Sequence, residues 1–324
     1  MESIPSGRGD PGQAALARGG PGRGPVRAPA PSEATHPIVT RRSVLARVQT
    51  DEACHRLAAH WPAHRFPTVA VDSRGDEAQE LAVVSMTGTG WFTAALEAAV
   101  LEGRGEAAVH SAKDLPTEMP PGLAVAAYLP RADPRDVLVT VGGQPWRALP
   151  SGARVGTGSP RRAFQLRALR PDWEVVPLRG NVDTRLGHVA EGRLEAVCVA
   201  LAGLRRLGRE ATAQPLDPEW ECVPAPAQGA IAIQARADSP MAELAAAVGD
   251  PVTQACVVAE RLVLQGLGGG CRLPLGVLAR PLGPEAVRLV GILGLPGRPV
   301  RRAARDGGLA DLGRMAAELV EALR

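Results

Sequence analysis

The chain has 324 residues, 45% of them hydrophobic, and a formal net charge of +3, values typical of a soluble globular protein with two or three domains. Aromatic residues make up only 3% of the chain, which argues against a base-stacking surface for single-stranded nucleic acid, and no apolar run is long enough to span a membrane. The five cysteines follow neither a zinc spacing nor a disulfide framework, so we expect a cytoplasmic protein with no metal, membrane or nucleic-acid partner.

Residues 1–35 are rich in glycine, proline, arginine and alanine and show no hydrophobic periodicity. Such a segment cannot bury enough apolar surface to offset the entropy of ordering, so we expect a disordered N-terminal extension. It contains no apolar core for a secretory signal. An arginine-rich targeting segment and a misassigned start codon are the alternatives, and the sequence leaves open whether the mature protein retains this extension.

Strand and helix patterns alternate in the next part of the chain. Short apolar or β-branched runs predict strands at 37–40, 68–71 and 106–110. Ser43 is a suitable N-cap for an amphipathic helix, and residues 91–101 predict a second helix. This alternation is typical of βαβ units, so we expect an α/β domain with a mainly parallel sheet.

Lys113 is the only lysine of the chain, and it stands with Asp114 directly after the predicted strand at 106–110. Arginine carries a wide planar fork and lysine a compact ammonium, so a single lysine among arginines indicates a site that requires a point charge. Ligands bind at the carboxyl ends of strands in open α/β sheets. Lys113 and Asp114 are therefore candidate functional residues, the alternative being a surface ion pair in a turn.

A second α/β unit follows a strand at 123–128 and a polar crossover at 131–136. Its strands are expected at 153–156, 174–178 and 195–200. Each strand is followed by arginines, namely Arg161 and Arg162, Arg179 and Arg185, and Arg205 and Arg206. Because parallel strands end at the same edge of a sheet, we predict an arginine-lined cleft for a ligand with several carboxylates or phosphates.

Ser159 and Pro160 predict the start of a helix, as N-cap and first helical residue. Arg161 and Arg162 in its first turn oppose the helix dipole, which is unfavourable unless an anion lies there. We therefore expect an anion at this helix start; solvation of both arginines is the alternative.

Residues 224–229 predict a proline-rich hinge, followed by a strand at 230–235 that crosses back to the first domain. A helix at 251–267 then leads to three glycines and Cys271. The glycines leave the thiol unshielded, and the adjacent Arg272 favours the thiolate. We prefer a covalent role for Cys271 over that of a small residue in a glycine turn.

The other cysteines are less well presented. Cys198 lies in an apolar strand and Cys256 on an apolar helix, so both are expected to be packing residues. Cys54 lies on the first helix, and Cys222 lies in a loop with no base beside it.

The C-terminal part predicts strands at 275–280, 287–293 and 299–303. A closing helix from Leu309 to Leu323 repeats apolar residues with the helical period. We expect a small α+β domain whose sheet is covered by helices.

Several motifs, in this order, resemble the porphobilinogen deaminase family from about Ile38 to the C-terminal helix. They are HSAKDLP (110–116), DPRD (133–136), GTGSPRR (156–162), LRGNVDTRL (178–186), AGLRRLG (202–208), PAQGA (226–230) and GGCRLPLG (269–276). The resemblance implies two α/β lobes like those of periplasmic binding proteins, with mainly parallel sheets, and a small C-terminal α+β domain. The expected boundaries are 36–130 with 230–247 for domain 1, 134–224 for domain 2 and 251–324 for domain 3.

The resemblance also implies a monomeric transferase of tetrapyrrole and heme biosynthesis, a hydroxymethylbilane synthase. Such an enzyme joins four porphobilinogens head to tail, releases ammonia, and frees hydroxymethylbilane by hydrolysis. The chain grows on a covalent dipyrromethane cofactor, attached here to Cys271. Asp114 matches the catalytic aspartate, which stabilises the azafulvene cation formed as ammonia leaves. The substrate- and cofactor-binding residues match Arg41, Ser43, Lys113, Thr157, Ser159, Arg161, Arg162, Arg179, Arg185, Arg206 and Gln228.

This chain departs from the family pattern at a few positions. Ser85 and Thr89 stand where the family usually has lysines, so we expect this loop to hold the growing chain less strongly. Gly158 replaces a usual serine, and Gly268 replaces a usual glutamate before the cysteine turn.

Two other functions are compatible with these features. The first is a non-catalytic carboxylate-binding module with receptor-like architecture. The second is a degenerate paralogue that binds pyrrole precursors without turnover.

Overall fold

The structure, a computed structural model, describes residues 34–72, 93–270 and 273–324. Its strands are β1 (Ala34–Thr35), β2 (Ile38–Arg41), β3 (His64–Arg65), β4 (Thr68–Val71), β5 (Ala107–Ser111), β6 (Leu123–Tyr128), β7 (Asp136–Thr140), β8 (Arg154–Thr157), β9 (Glu174–Pro177), β10 (Ala196–Ala200), β11 (Ala213–Pro215), β12 (Ile231–Arg236), β13 (Leu275–Pro281), β14 (Ala286–Leu293) and β15 (Arg301–Gly308). Its helices are α1 (Val44–His60), α2 (Ala94–Leu101), α3 (Pro160–Leu169), α4 (Val182–Ala190), α5 (Leu201–Arg206), α6 (Pro240–Ala246), α7 (Pro251–Gly266) and α8 (Leu312–Leu323). Among these described helices, none is both long and apolar enough to cross a membrane.

The first sheet has the strand order β4-β2-β5-β12-β6. Strands β4, β2 and β5 are parallel, and β12 is antiparallel to both β5 and β6. The strand expected at 230–235 thus does cross back, pairing Ile231 with Ser111. Successive residues point to opposite faces, so Ile38 packs with α1 residues and Val39 packs with α2 residues.

The second sheet has the strand order β11-β7-β10-β8-β9, in which β8 is parallel to β9 and β10 while β7 is antiparallel to β10 and β11. Most strands of both sheets run in one direction, so the expected mainly parallel α/β class is confirmed. Strand β7 was not expected from the sequence, in which the predicted crossover ends at residue 136 and no strand follows it. The apolar run 137–139 is short and is preceded by an acid, but pairing on both sides buries all five residues of β7.

The third sheet, β13-β14-β15, is antiparallel. One face packs on α7 and α8 through residues such as Val277 and Leu289, and the opposite face packs on Phe164 of α3 through Val290 and Ile292. The predicted small α+β unit is therefore confirmed. Its last strand begins at Arg301 and not at residue 299, because residues 299–300 lie outside the β14 pairing.

A single buried carboxylate joins this third unit to the connections between the two larger sheets. Glu260 of α7 has no exposed surface and accepts hydrogen bonds from Arg131 Nη1 at 2.6 Å and Nη2 at 3.1 Å. It also accepts from the backbone N–H of Ala227 at 2.6 Å and of Ala279 at 2.8 Å. These four bonds satisfy a charge that would otherwise be costly to bury.

Candidate active site

Two adjoining cavities are lined by residues that follow the carboxyl ends of strands in the two larger sheets. The smaller has a volume of about 200 Å³ and the larger about 430 Å³. Lys113, Asp114, Arg162 and Gln228 line both cavities, so these four side chains stand where the two spaces meet. The two cavities thus lie at the strand ends, where the cleft was expected.

Lys113 and Asp114 lie in a 3-10 turn, Ala112–Asp114, that follows β5 directly. Buried Ala112 and Leu115 anchor the turn on either side, so both charged side chains are presented to the cavities. Burial lowers the pKa of Lys113, Asp114 raises it and Arg162 lowers it, leaving the pKa below its ordinary value. No hydrogen bond to the Asp114 carboxylate is formed within the described ranges, so this group can receive a ligand N–H.

His110, which begins the same motif, does not share this role. Its ring is buried and its Nε2 lies 3.1 Å from Gln234 Oε1. Burial lowers the pKa of His110 to about 4, so the imidazole is neutral at physiological pH. His110 is therefore part of the core behind the site.

Asp136, at the start of β7, organises the arginines of the smaller cavity. Its carboxylate is fully buried and accepts hydrogen bonds from Arg161 Nη1 at 2.5 Å, Arg162 Nε at 2.8 Å and Gln228 Nε2 at 2.9 Å. Burial alone would raise the pKa of Asp136, but the two guanidinium groups hold it well below its ordinary value. Asp136 is thus ionised and is the common counter-ion of both arginines.

This arrangement explains how two arginines can occupy the first turn of α3 against the helix dipole. Ser159 caps α3 by accepting from the Arg162 N–H at 3.4 Å, as expected, and the required anion is supplied by the protein itself as Asp136. Arg161 Nε still has no hydrogen-bond partner among the described residues, although its residue is only 4% exposed and lines the smaller cavity.

Asp136 was not among the site residues expected from the sequence. Cys222 lies in a loop, as expected, and is fully buried with its Sγ 3.3 Å from Asp136 Oδ2. The only available signal for Asp136 was an acid at the head of a short apolar run. Such an acid must be paired if that run is buried.

Arginines of the larger cavity come from several elements. Arg41 ends β2, Arg185 lies on α4, and Arg206 ends α5, and all three line the cavity. Arg185 Nε donates to the Gly180 carbonyl at 2.9 Å, and burial, with Arg162 nearby, lowers the pKa of Arg185. Ser43, also in the lining, caps α1 by accepting from the Ala46 N–H at 3.4 Å.

Two of the site residues expected from the sequence line neither cavity. Arg179 is exposed just after β9. Thr157 is buried, and its Oγ1 accepts from the Ser159 N–H at 3.2 Å. Thr157 therefore shapes the turn before α3, and Ser159 reaches the smaller cavity.

Steric crowding explains why glycine occupies position 158. A Cβ there would lie 2.5 Å from the backbone oxygen of Leu178. The close approach brings the turn before α3 against the end of β9. A side chain at this position would force the two segments apart.

Cys271, Arg272, Ser85 and Thr89 lie outside the described residues. Gly270 and Leu273, on either side of the cysteine turn, both line the smaller cavity. Of the described cysteines, Cys198 and Cys256 are buried in apolar clusters, in agreement with a packing role. Burial raises the pKa of Cys54 to about 12 and of Cys256 to about 11, so neither thiol is a ready nucleophile.

Comparison with known proteins gives matches over most of the chain. The family model described as "Porphobilinogen deaminase, dipyromethane cofactor binding domain" matches residues 37–243, and "Porphobilinogen deaminase, C-terminal domain" matches residues 254–321. The porphobilinogen deaminase of Roseiflexus castenholzii is 44% identical over 88% of this chain and 94% of its own. That of Acidothermus cellulolyticus is 45% identical, covering 87% of this chain and 88% of its own.

Solved structures give more distant matches. The second substrate binding domain of a putative amino acid ABC transporter from Streptococcus pneumoniae is 11% identical, with a TM-score of 0.41, over 66% of this chain and 91% of that one. The regulatory domain of OxyR2 from Vibrio vulnificus is 13% identical, with a TM-score of 0.40, over 68% of this chain and 98% of that one.

Proposed function

Because the chain belongs to the porphobilinogen deaminase family, we propose that the two adjoining cavities form its catalytic cleft and that Asp114 is the catalytic carboxylate. The enzyme is a transferase of tetrapyrrole biosynthesis that joins porphobilinogen units on a dipyrromethane cofactor, releases ammonia and frees hydroxymethylbilane. The observation that supports the site assignment is the position of Asp114, which lines both cavities and has no hydrogen-bond partner among the described residues.

The residues around the smaller cavity fit a ligand with several carboxylates. Lys113, Arg161 and Arg162 supply positive charge there. We propose that these side chains, with Ser159 and Gln228, hold the dipyrromethane cofactor, and that Cys271 is its attachment point. When bound, the cofactor supplies the nucleophilic pyrrole carbon to which the first substrate is joined.

The larger cavity is proposed to hold the incoming porphobilinogen and the growing chain. Arg41, Arg185 and Arg206 would bind acetate and propionate groups, and Ser43 would cap the helix that follows Arg41. Thr157 would support the turn that presents Ser159 to the smaller cavity. Arg179, which is exposed outside the lining, would contact a chain that extends beyond the cavity.

Asp114 would accept hydrogen bonds from pyrrole N–H groups and would stabilise the positive charge that develops on the substrate as ammonia leaves. A fixed carboxylate beside a developing cation lowers the barrier in the same way as fixed donors stabilise an oxyanion. Lys113 keeps the local charge balanced and would bind a substrate carboxylate with its compact ammonium.

We further propose the division into domain 1 (36–130 and 230–247), domain 2 (134–224) and domain 3 (251–324). The three sheets, each with its own hydrophobic clusters, support it. For the whole protein, we propose a monomer that acts in the cytoplasm as a deaminating hydroxymethylbilane synthase. Size-exclusion chromatography with light scattering would test the monomer.

Intact-protein mass spectrometry tests the assignment of the site. The purified wild-type protein should carry the mass of one dipyrromethane, and Cys271→Ser should carry none and should not turn over porphobilinogen. Cys198→Ala is the matched control, because its buried thiol packs in a core and its loss should leave the added mass in place. Added mass on Cys271→Ser would overturn the attachment point, and an unmodified, inactive wild type would favour a degenerate paralogue.

A further inference from the structure

One arginine of the larger cavity is paired with a carboxylate from the opposite side of the cleft. Arg206, at the end of α5, donates from Nε to Glu52 Oε2 of α1 at 3.0 Å. The Arg206 side chain is 9% exposed and the Glu52 side chain is 31% exposed. Helix α1 belongs to the first sheet's layer and α5 to the second's, so the pair spans the two larger units.

The contacts of Arg206 restrict what it can offer a ligand. Its Nη2 donates to the Gly229 carbonyl at 3.3 Å, while its Nε is held by Glu52. A guanidinium binds a carboxylate with two parallel donors, either Nε with Nη2 or Nη1 with Nη2. The first of these edges is therefore already used by the protein, and the second shares Nη2 with a carbonyl.

The neighbouring cations of the cavity are held differently. Arg185 donates to a backbone carbonyl, and no carboxylate of the described residues forms an ion pair with it. Arg162 is offset by Asp136, which is fully buried behind it. Glu52 is the acidic partner of Arg206, and it does not itself line the cavity.

We propose that Glu52, from outside the cavity lining, sets the strength of carboxylate binding in the larger cavity by neutralising Arg206. The inference rests on the proposed role of Arg206 in binding substrate carboxylates. Partial neutralisation of the Arg206 charge lowers the affinity of the cleft for a polyanionic chain. Lower affinity favours movement and final release of that chain over tight retention.

The test is steady-state turnover of porphobilinogen by the full-length enzyme carrying Glu52→Gln. The glutamine retains an oxygen that accepts from Arg206 Nε and removes the negative charge. We expect KM to fall about threefold to tenfold, with kcat changed less, and the salt dependence of KM to become steeper. A purely structural role for the pair would not produce tighter binding.

Asp51→Asn is the matched control, since it removes the same charge from the adjacent, exposed position of α1. Its KM should match that of the wild type. An unchanged or higher KM in Glu52→Gln, or an equal fall in Asp51→Asn, would overturn the inference. Arg206→Gln separates this from the underlying assignment: its KM should rise, and if it does not, Arg206 itself is not a binding residue.

Discussion

The carboxylate of Asp136 lies 2.5 Å from Nη1 of Arg161 in the interior behind the smaller cavity, and neither side chain is more than 4% exposed. Arg162 shares the same carboxylate at 2.7 Å. Two adjacent cations can therefore occupy one helix turn and still face a cavity, because a single buried anion offsets them.

Replacing Asp136 with Asn should destabilise the fold strongly. Breaking a buried ion pair leaves uncompensated charge and costs about 3–5 kcal/mol, which urea unfolding at pH 7 would measure. Because the pKa of Asp136 is depressed in the fold, its stabilisation is complete above about pH 3.9, the value for an unfolded aspartate, and is lost as the pH falls further. The difference between the two proteins should therefore shrink only below that pH.

The control for Asp136 is Asp172→Asn, which removes an exposed partner of Arg170. Its unfolding midpoint should remain close to that of the wild type. Equal stability of Asp136→Asn and wild type would contradict the role of Asp136 as the common counter-ion.

Replacing Asp114 with Asn preserves shape and removes the charge. If that charge stabilises the cation formed as ammonia leaves, turnover of porphobilinogen should fall on the order of 10²-fold or more. Glu118→Gln, a nearby exposed position, should retain full turnover. Near-normal turnover of Asp114→Asn, at full cofactor loading by mass, would assign the chemistry to another group.

Replacing Lys113 with Arg tests whether the single lysine is required. A wide guanidinium beside Asp114 would pair with that carboxylate and divert it from the pyrrole nitrogens. A misplaced charged hydrogen bond costs about 1.5–3 kcal/mol, so turnover should fall roughly 10- to 100-fold, with little change in Tm. Full activity at full loading would show that the lysine has no special role.

Replacing Gly158 with Ala should disturb the turn before α3. The added Cβ would meet the Leu178 carbonyl at 2.5 Å, and relieving such a contact costs about 1–3 kcal/mol. Gly187→Ala is the control, because a Cβ there meets only the Glu191 side chain at 3.7 Å on α4. That change should be neutral or stabilising, since alanine favours helix. A Tm for Gly158→Ala equal to the wild-type Tm would contradict the steric argument.

Local signals in the sequence were sufficient where the structure depends on local chemistry. Ser159 and Pro160 correctly predicted the start of α3, and Lys113 and Asp114 were correctly placed at the end of a strand. The return of β12 to the first sheet could be predicted because a proline-rich hinge at residues 224–229 is followed directly by a strand.

Other features depend on partners distant in the chain. In the sequence, Asp136 resembles one more residue of a polar turn. Its role depends on contacts with α3 and Gln228, which are distant in the chain. Arg179 and Arg206 both follow strands, yet one is exposed and the other is fixed by Glu52, 154 positions earlier. Spacing identifies which arginines reach the sheet edge, but only packing decides which of them face the ligand.

The four hydrogen bonds of Glu260 have a consequence for stability. One carboxylate is shared by α7, by the crossover at Arg131 and by the returning segment at Ala227, so its removal would release all three segments at once. Glu260 thus couples the stability of the third unit to that of the connections between the two larger sheets.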